Sequence, residues 1–340
     1  MGMAEKKRKD WKHMSVRIAV ILLVIIIIVG VVCISAAYAA RKTLVSNADR
    51  AIPVVSDNAA AKAEQYIEHN GSRYEYDRDN INILFIGVDS RGDDISVGQA
   101  DMAVLAVMNL REKTVRFINI NRDSLGPVRL FGVAGQYITT RERQIALAYS
   151  YGDDAADGGE LMSETISGLL DGIPVNGFVA LDFDGIATMN EIAGGVSVTA
   201  ICDVSRAGIN EGETVKLTDE QAVYYVTERD SHSADIGTNA SRMERQKQYI
   251  YAWLDIIMDK LRGDPLYALE VYDMSRQYVT TDMTKMQMVY LAVIMKNQNI
   301  SDEMYSLPGS YSRSGYYDEY LVDKGKLSDM LIEIFYKKME

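Results

Sequence analysis

The chain has 340 residues, 48% of them hydrophobic and 25% charged, with a formal net charge of −12. That composition is ordinary for a folded globular protein and excludes a disordered or collagen-like chain. The acidic balance argues against nucleic acid as a partner.

The first element is apolar. Residues 1–17, "MGMAEKKRKDWKHMSVR", hold six basic and two acidic residues, and residues 18–40, "IAVILLVIIIIVGVVCISAAYAA", hold none. A helix needs about 20 apolar residues to cross a hydrocarbon core, and positive flanks stay in the cytoplasm. The expectation is a cytoplasmic basic tail (1–17), one uncleaved transmembrane signal-anchor helix (18–40) in the lipid membrane, and an extracellular remainder. The run is longer than the roughly 7–15 apolar residues of a cleaved signal. Residues 41–340 then carry 30 basic and 46 acidic residues, a net −16. Cys33 falls inside the apolar run, so Cys202 has no exported partner, which excludes a disulfide framework and a cysteine-held zinc. Only His69 and His232 remain outside for a Ser-His-Asp arrangement.

Residues 41–79 read as a stalk, with a short helix from Ser56 or Asp57 to Gly71. From 80 onward strands and helices alternate. Strands are expected at 81–88, 102–109, 115–120, 177–182, 196–200 and 303–307. Helices are expected at 141–150, 160–170, 184–193, 218–227, 239–262, 282–297 and 325–338. The short "LREKT" makes the second and third strands a hairpin. Continuous apolar strands between helices imply a sheet covered on both faces, so residues 80–340 form one α/β domain. The acidic "YGDDAADGGE" (151–160) and the tyrosine-rich "GSYSRSGYYDEY" (309–320) read as solvent loops.

Polar residues gather at strand tips. Asp89 and Arg91 follow the 81–88 strand in "INILFIGVDSR". Asp101 precedes the 102–109 strand, and lies at the same edge if the two are antiparallel. "NRDS", Asn121 to Ser124, ends the 115–120 strand. Arg242, Arg245, Gln246 and Tyr249 step i, i+3, i+4, i+7 along one helix face, with Met243, Ile250, Leu254, Ile257 and Leu261 as the opposite, core face. Arg229 points into the same loop region. Arginines at a helix N-terminus make an anion site. Two carboxylates suit Mg²⁺, which takes one or two protein carboxylates plus phosphate oxygens. Together they fit metal-assisted phosphoryl transfer.

In this order, "NILFIGVDSRG", "QADMAVLAVMNLREKTVRFINI" with "NRDS", "IALAYSYG", "VALDFDGIATMNEIAGGVSV", "LTDEQAVYYVTERD" and "DIGTNASRMERQKQY" resemble the LytR–CpsA–Psr family of cell-envelope phosphotransferases. The core motifs cover 80–262. The resemblance implies a three-layer α/β/α sandwich with a central mixed sheet, preceded by one transmembrane helix. It implies transfer of an anionic glycopolymer, such as teichoic acid or capsule, from a polyprenyl-pyrophosphate carrier to peptidoglycan in a Gram-positive-type envelope, with Mg²⁺ or Mn²⁺. Asp89 and Asp101 match the metal-binding aspartates. Arg91, Arg122, Arg229, Arg242 and Arg245 match the pyrophosphate arginines, with Asp123 and Gln246 beside them; Arg122, Asp123 and Asp89 are the catalytic candidates. Gln99, Gln144, Ala146 and Thr227 stand where the family usually has arginine, lysine, asparagine and arginine. The same site also suits a hydrolase of the carrier-linked glycan, or a non-catalytic binder of glycan or lipid carrier.

Overall fold

A computed structural model describes residues 36–44, 66–90, 98–228, 239–314 and 317–339. The chain divides into two units, Met1–Thr43 and Leu44–Glu340. In the first, helix α1 (residues 36–44) begins, reaching the boundary. Most of the expected membrane span, 18–35, lies outside the described residues. Among the described residues no helix is long and apolar enough to cross a membrane.

The second unit runs β1 (Ile67–His69), β2 (Ser72–Tyr76), β3 (Asn80–Asp89), β4 (Gln99–Asn109), β5 (Thr114–Ile120), β6 (Leu125–Phe131), β7 (Tyr137–Gln144), α2 (Ala146–Ser150), α3 (Ala155–Leu169), β8 (Gly177–Asp182) and α4 (Ile186–Ala193). It continues with β9 (Ser197–Thr199), β10 (Thr214–Lys216), α5 (Asp219–Thr227), α6 (Asn239–Gly263), α7 (Tyr267–Ser275), β11 (Val279–Thr281) and α8 (Lys285–Met295). The last elements are β12 (Asn299–Ser306), β13 (Gly309–Ser314), β14 (Tyr317–Val322), α9 (Lys324–Phe335) and β15 (Tyr336–Lys338).

The central sheet has six strands in the order β11-β8-β3-β4-β5-β12. It is mixed: β3 is parallel to β8 and β5 to β12, while β4 is antiparallel to both β3 and β5. The carboxyl ends of β3, β5 and β8 and the start of β4 therefore share one edge. Side chains alternate across each strand. Leu84, Ile86, Leu105 and Ile118 pack on one face with Met162 and Ile166 of α3 and Leu327 and Leu331 of α9. Ile83, Val104, Ala106 and Phe117 pack on the other with Ile250 and Leu254 of α6 and Leu291 of α8. Helices thus cover both faces, as the apolar strands implied.

Several local expectations are corrected. The segment before 80 is no simple stalk: β1 and β2 form a hairpin, and β2 also pairs with β15. Asn70 (φ 48°) and Gly71 (φ 74°) both take left-handed backbone, the conformation a tight hairpin turn requires, so Gly71 turns a hairpin where a helix end was expected. The expected helix at 141–150 begins only at Ala146, because residues 137–144 pair with β6. The acidic stretch opens α3: Asp154 caps it, accepting from the backbone N–H groups of Ala156 and Asp157 at 2.9 Å each. The tyrosine-rich loop is the β13–β14 hairpin.

Candidate functional site

The site grows from a bulge. Along β3 and β4, Gly87 pairs with Met102 and Val88 with Ala100, so Asp101 is an extra residue with no cross-strand partner position. Bulges re-aim a side chain, and this one turns a carboxylate inward: Asp101 is 5% exposed. A buried carboxylate needs compensating cations. Asp101 has two. Its Oδ1 accepts from Nη1 of Arg122, and its Oδ2 accepts from Nη1 of Arg242 at 2.7 Å. Arg242 is 2% exposed. The antiparallel pairing of β3 and β4 sets Asp89 opposite Gln99, at the same edge.

Arg122 is held on three sides. Beyond Asp101, its Nη2 donates to Oε1 of Gln99 at 3.2 Å, and its Nε lies 3.6 Å from Oδ1 of Asp123. Fixing several nitrogens fixes the plane of a guanidinium. The loop that carries it is shaped by Asn121, whose Oδ1 accepts from the Asp123 N–H at 3.0 Å, an Asx turn. Asn121 Nδ2 donates to the Tyr311 hydroxyl at 2.6 Å, and the Tyr320 N–H donates to the Asp123 carbonyl at 2.8 Å. Gln144 Nε2 donates to Asp123 Oδ1 at 3.3 Å and to the Asp318 carbonyl at 2.8 Å. The β13–β14 hairpin thereby braces the Arg122 loop.

The polar face of α6 is buried, so it is as much a core face as the apolar one. Arg245, Gln246 and Tyr249 are 2%, 4% and 7% exposed. Arg245 donates to the carbonyls of Tyr225 and Glu228, and Gln246 Nε2 donates to the Val226 carbonyl at 3.0 Å. Cationic donors suit the carbonyls at a helix C-terminus. These two residues anchor the end of α5, directly before Arg229. Arg245 Nε and the Tyr249 hydroxyl are buried without a hydrogen-bond partner, and burial pushes the Tyr249 phenol far up, with Asp219 adding to it.

The structure therefore brings together Asp101, Arg122, Asp123 and Arg242, with Asp89 on the neighbouring strand tip. It directs Arg245 and Gln246 to main-chain carbonyls. Arg91 and Arg229 lie outside the described residues. Sequence reasoning missed Asp182, at the end of β8 opposite Val88. One of its oxygens accepts from the Ser90 hydroxyl, and the other accepts from the Asp184 N–H at 2.9 Å. The signal was there: Asp182 ends an apolar strand, as Asp89 does.

Among the described residues no group of three or more His, Cys, Asp and Glu could hold a metal ion. Asp89 and Asp101, on adjacent strands at one edge, offer a two-carboxylate oxygen set, which fits Mg²⁺. Chemically the arrangement is a network of two guanidiniums and two carboxylates at one edge of a mixed α/β sheet, the kind of edge where such sheets bind ligands.

Residues 49–334 match the LytR_cpsA_psr family. The polyisoprenyl-teichoic acid–peptidoglycan teichoic acid transferase TagU of Halalkalibacterium halodurans is 29% identical over 178 residues, 52% of this chain and 52% of that protein. The transferase of the same description, TagV, from Bacillus subtilis is 27% identical over 184 residues, 52% of this chain and 43% of that protein. The chain spans about half the length of these curated relatives. The solved structure of TagT bound to LIIa-WTA shares the fold, with a TM-score of 0.57 and 22% identity over 81% of this chain and 96% of that one. The strand-tip aspartates and arginines lie inside a family match that runs across most of the sequence, and the chain belongs to the LytR_cpsA_psr family.

Proposed function

We propose that this protein transfers a wall glycopolymer from a polyisoprenyl-pyrophosphate carrier to peptidoglycan, forming a phosphodiester. The observation that carries the reading is Asp101, buried between Arg122 and Arg242 at the strand-tip edge. An acceptor hydroxyl attacks the glycan-bearing phosphorus. The new P–O bond forms as the P–O bond to the carrier phosphate breaks; polyprenyl phosphate leaves and the hydroxyl proton is lost. Arg122 is pre-set by three contacts to meet charge that develops on the transferred phosphoryl oxygens, which favours the transition state without reorganisation. Asp123, beside it, accepts the hydroxyl proton. Arg242 pairs with Asp101 and holds it in place. Mg²⁺ or Mn²⁺ held by Asp89 and Asp101 would neutralise pyrophosphate charge and orient the reacting groups. Residues 18–40 anchor the chain in the cell membrane as a single pass, with the catalytic unit outside.

The test uses the full chain in detergent with a divalent metal, a polyprenyl-pyrophosphate glycan and peptidoglycan. Polyprenyl phosphate should be released and the glycan should become bound to peptidoglycan. Arg122→Ala should lower turnover by about 10²–10³-fold, the range for losing one transition-state donor, and a chelator should abolish it. Turnover unchanged in both Arg122→Ala and Asp89→Ala overturns the assignment. Release of carrier phosphate without any peptidoglycan product would make the protein a hydrolase instead.

A further inference from the structure

The β6–β7 hairpin is a two-stranded sheet of its own. Residues 130–140, "LFGVAGQYITT", carry no charge. Six in a row, Val133 to Ile138, are exposed. Val133 is fully exposed, Ile138 is 60% exposed and Tyr137 48%. Single apolar side chains on a surface are normal, but a contiguous group marks an interaction site. A bulge helps to make this group. Leu130 pairs with Thr139 and Phe131 with Tyr137, so Ile138 is an extra residue in its strand, and bulges re-aim side chains.

Two features suit this tip to a lipid–water boundary. The first is its backbone. The Gly132 N–H donates to the Gln136 carbonyl at 2.8 Å, the Gly135 N–H to the Gly132 carbonyl at 2.9 Å, and the Ala134 N–H to Gln136 Oε1 at 3.2 Å. Unpaired backbone groups are what make an irregular turn costly in lipid, and here three donors are already paired within the turn. The second feature is charge. Arg129 lies 5.2 Å from the ring centres of both Phe131 and Tyr137, and its Nη1 pairs with Glu164 at 3.0 Å. Arg141 and Arg143 are exposed on β7, with Glu142 between them. Residues 125–144 therefore hold three basic and one acidic residue, a net +2, on a unit that is otherwise strongly acidic. A basic hairpin complements an anionic surface, and tyrosine rings favour the headgroup layer.

We propose that the β6–β7 hairpin docks on an anionic lipid surface. Val133 and Ile138 enter the acyl boundary, Tyr137 sits among the headgroups, and Arg141 and Arg143 meet lipid phosphates. The insertion is shallow. Among the described residues β7 pairs only with β6, so the backbone groups of its outer edge need water or headgroups. The root of the hairpin is the Arg122 loop: β6 begins directly after Ser124, and Gln144, at the end of β7, donates to Asp123. Docking thus ties that loop to the bilayer surface. The lipid contact itself does not rest on the transferase reading.

Tryptophan fluorescence tests it, on the full chain carrying Val133→Trp and reconstituted in lipid nanodiscs. The discs are made of phosphatidylglycerol or of phosphatidylcholine, each with plain or bromine-labelled acyl chains. Wild type supplies the background from Trp11 and Trp253. In bromine-labelled phosphatidylglycerol the introduced indole should be quenched beyond that background and shielded from aqueous iodide. Quenching should weaken in phosphatidylcholine. It should also weaken when Arg141→Gln and Arg143→Gln are added, because each arginine near an anionic surface contributes about fivefold to the docking equilibrium. Adding Ile138→Asp instead should abolish it. All these changes are at exposed positions, and thermal melting confirms that each variant is folded. No quenching beyond wild type, or quenching equal in both lipids and in the arginine variants, overturns the proposal. Shielding from iodide without bromine quenching also overturns it, since a protein surface would then cover the tip.

Discussion

Asp101 shows how much one residue can depend on partners far away in the chain. Its two guanidiniums come from Arg122, on the loop after β5, and from Arg242, 141 positions downstream. Removing one member of a buried ionic group strands the others, at about 3–5 kcal/mol. Asp101→Ala should therefore lower unfolding stability by about that amount, read in urea denaturation. Adding Arg242→Met should recover part of the loss, because the stranded charge is gone, and a double-mutant cycle measures the coupling. The positions where the resemblance led one to expect cations carry neutral groups with defined roles. Gln99 accepts from Arg122, and Gln144 orients Asp123 against the β13–β14 hairpin. The sequence shows charged strand tips, since a buried strand has no structural need for them. It does not show which charge meets which, because that depends on strand order and on a one-residue bulge.

At the scale of elements, the strands that form the middle of the sheet were legible because both of their faces are apolar. β3 is buried at every position but Phe85 and the half-buried tip, Asp89. β7 was not legible. "YITTRERQ" has no buried position, pairs only with β6, and so carries no period-2 apolar signal. The contact of α3 with β8 hides another determinant. A Cβ on Gly159 would meet Cε2 of Phe178 at 2.1 Å, and Phe178 is 1% exposed. Alanine favours a helix over glycine by about 1 kcal/mol, but a buried ring that close cannot be accommodated without shifting core. Overpacking typically costs about 1–3 kcal/mol. Gly159→Ala should destabilise despite its better helix propensity, which chemical denaturation would show as a lower midpoint.

At the scale of the molecule, Asp77 ties β2 to the β4–β5 turn. Its Oδ2 accepts from Asn109 Nδ2 and from Arg111 Nη2, both at 3.0 Å, and its Oδ1 from the Asp79 N–H at 3.2 Å. Burial alone would raise its pKa, but the bonds from Asn109 and Asp79 and the Arg111 charge outweigh it, so the carboxyl is held below 3.8. A carboxylate with a depressed folded pKa stabilises the fold above its ordinary value and loses that contribution as pH falls through the lowered one. Stability measured by urea titration should therefore decline on the acid side of about pH 4, and Asp77→Asn should flatten that decline.

The pairing of β15 with β2 carries a consequence for how the molecule is made. Tyr336–Lys338 hydrogen-bond to Tyr74–Tyr76, and Met339 N–H donates to the Arg73 carbonyl at 2.8 Å. That edge of β2 thus waits for β15, which lies far downstream in the chain. Until it arrives, that edge is a bare template for any passing strand. Growth from the N-terminus cannot complete this unit piece by piece; residues 336–339 act as the latch that shuts it.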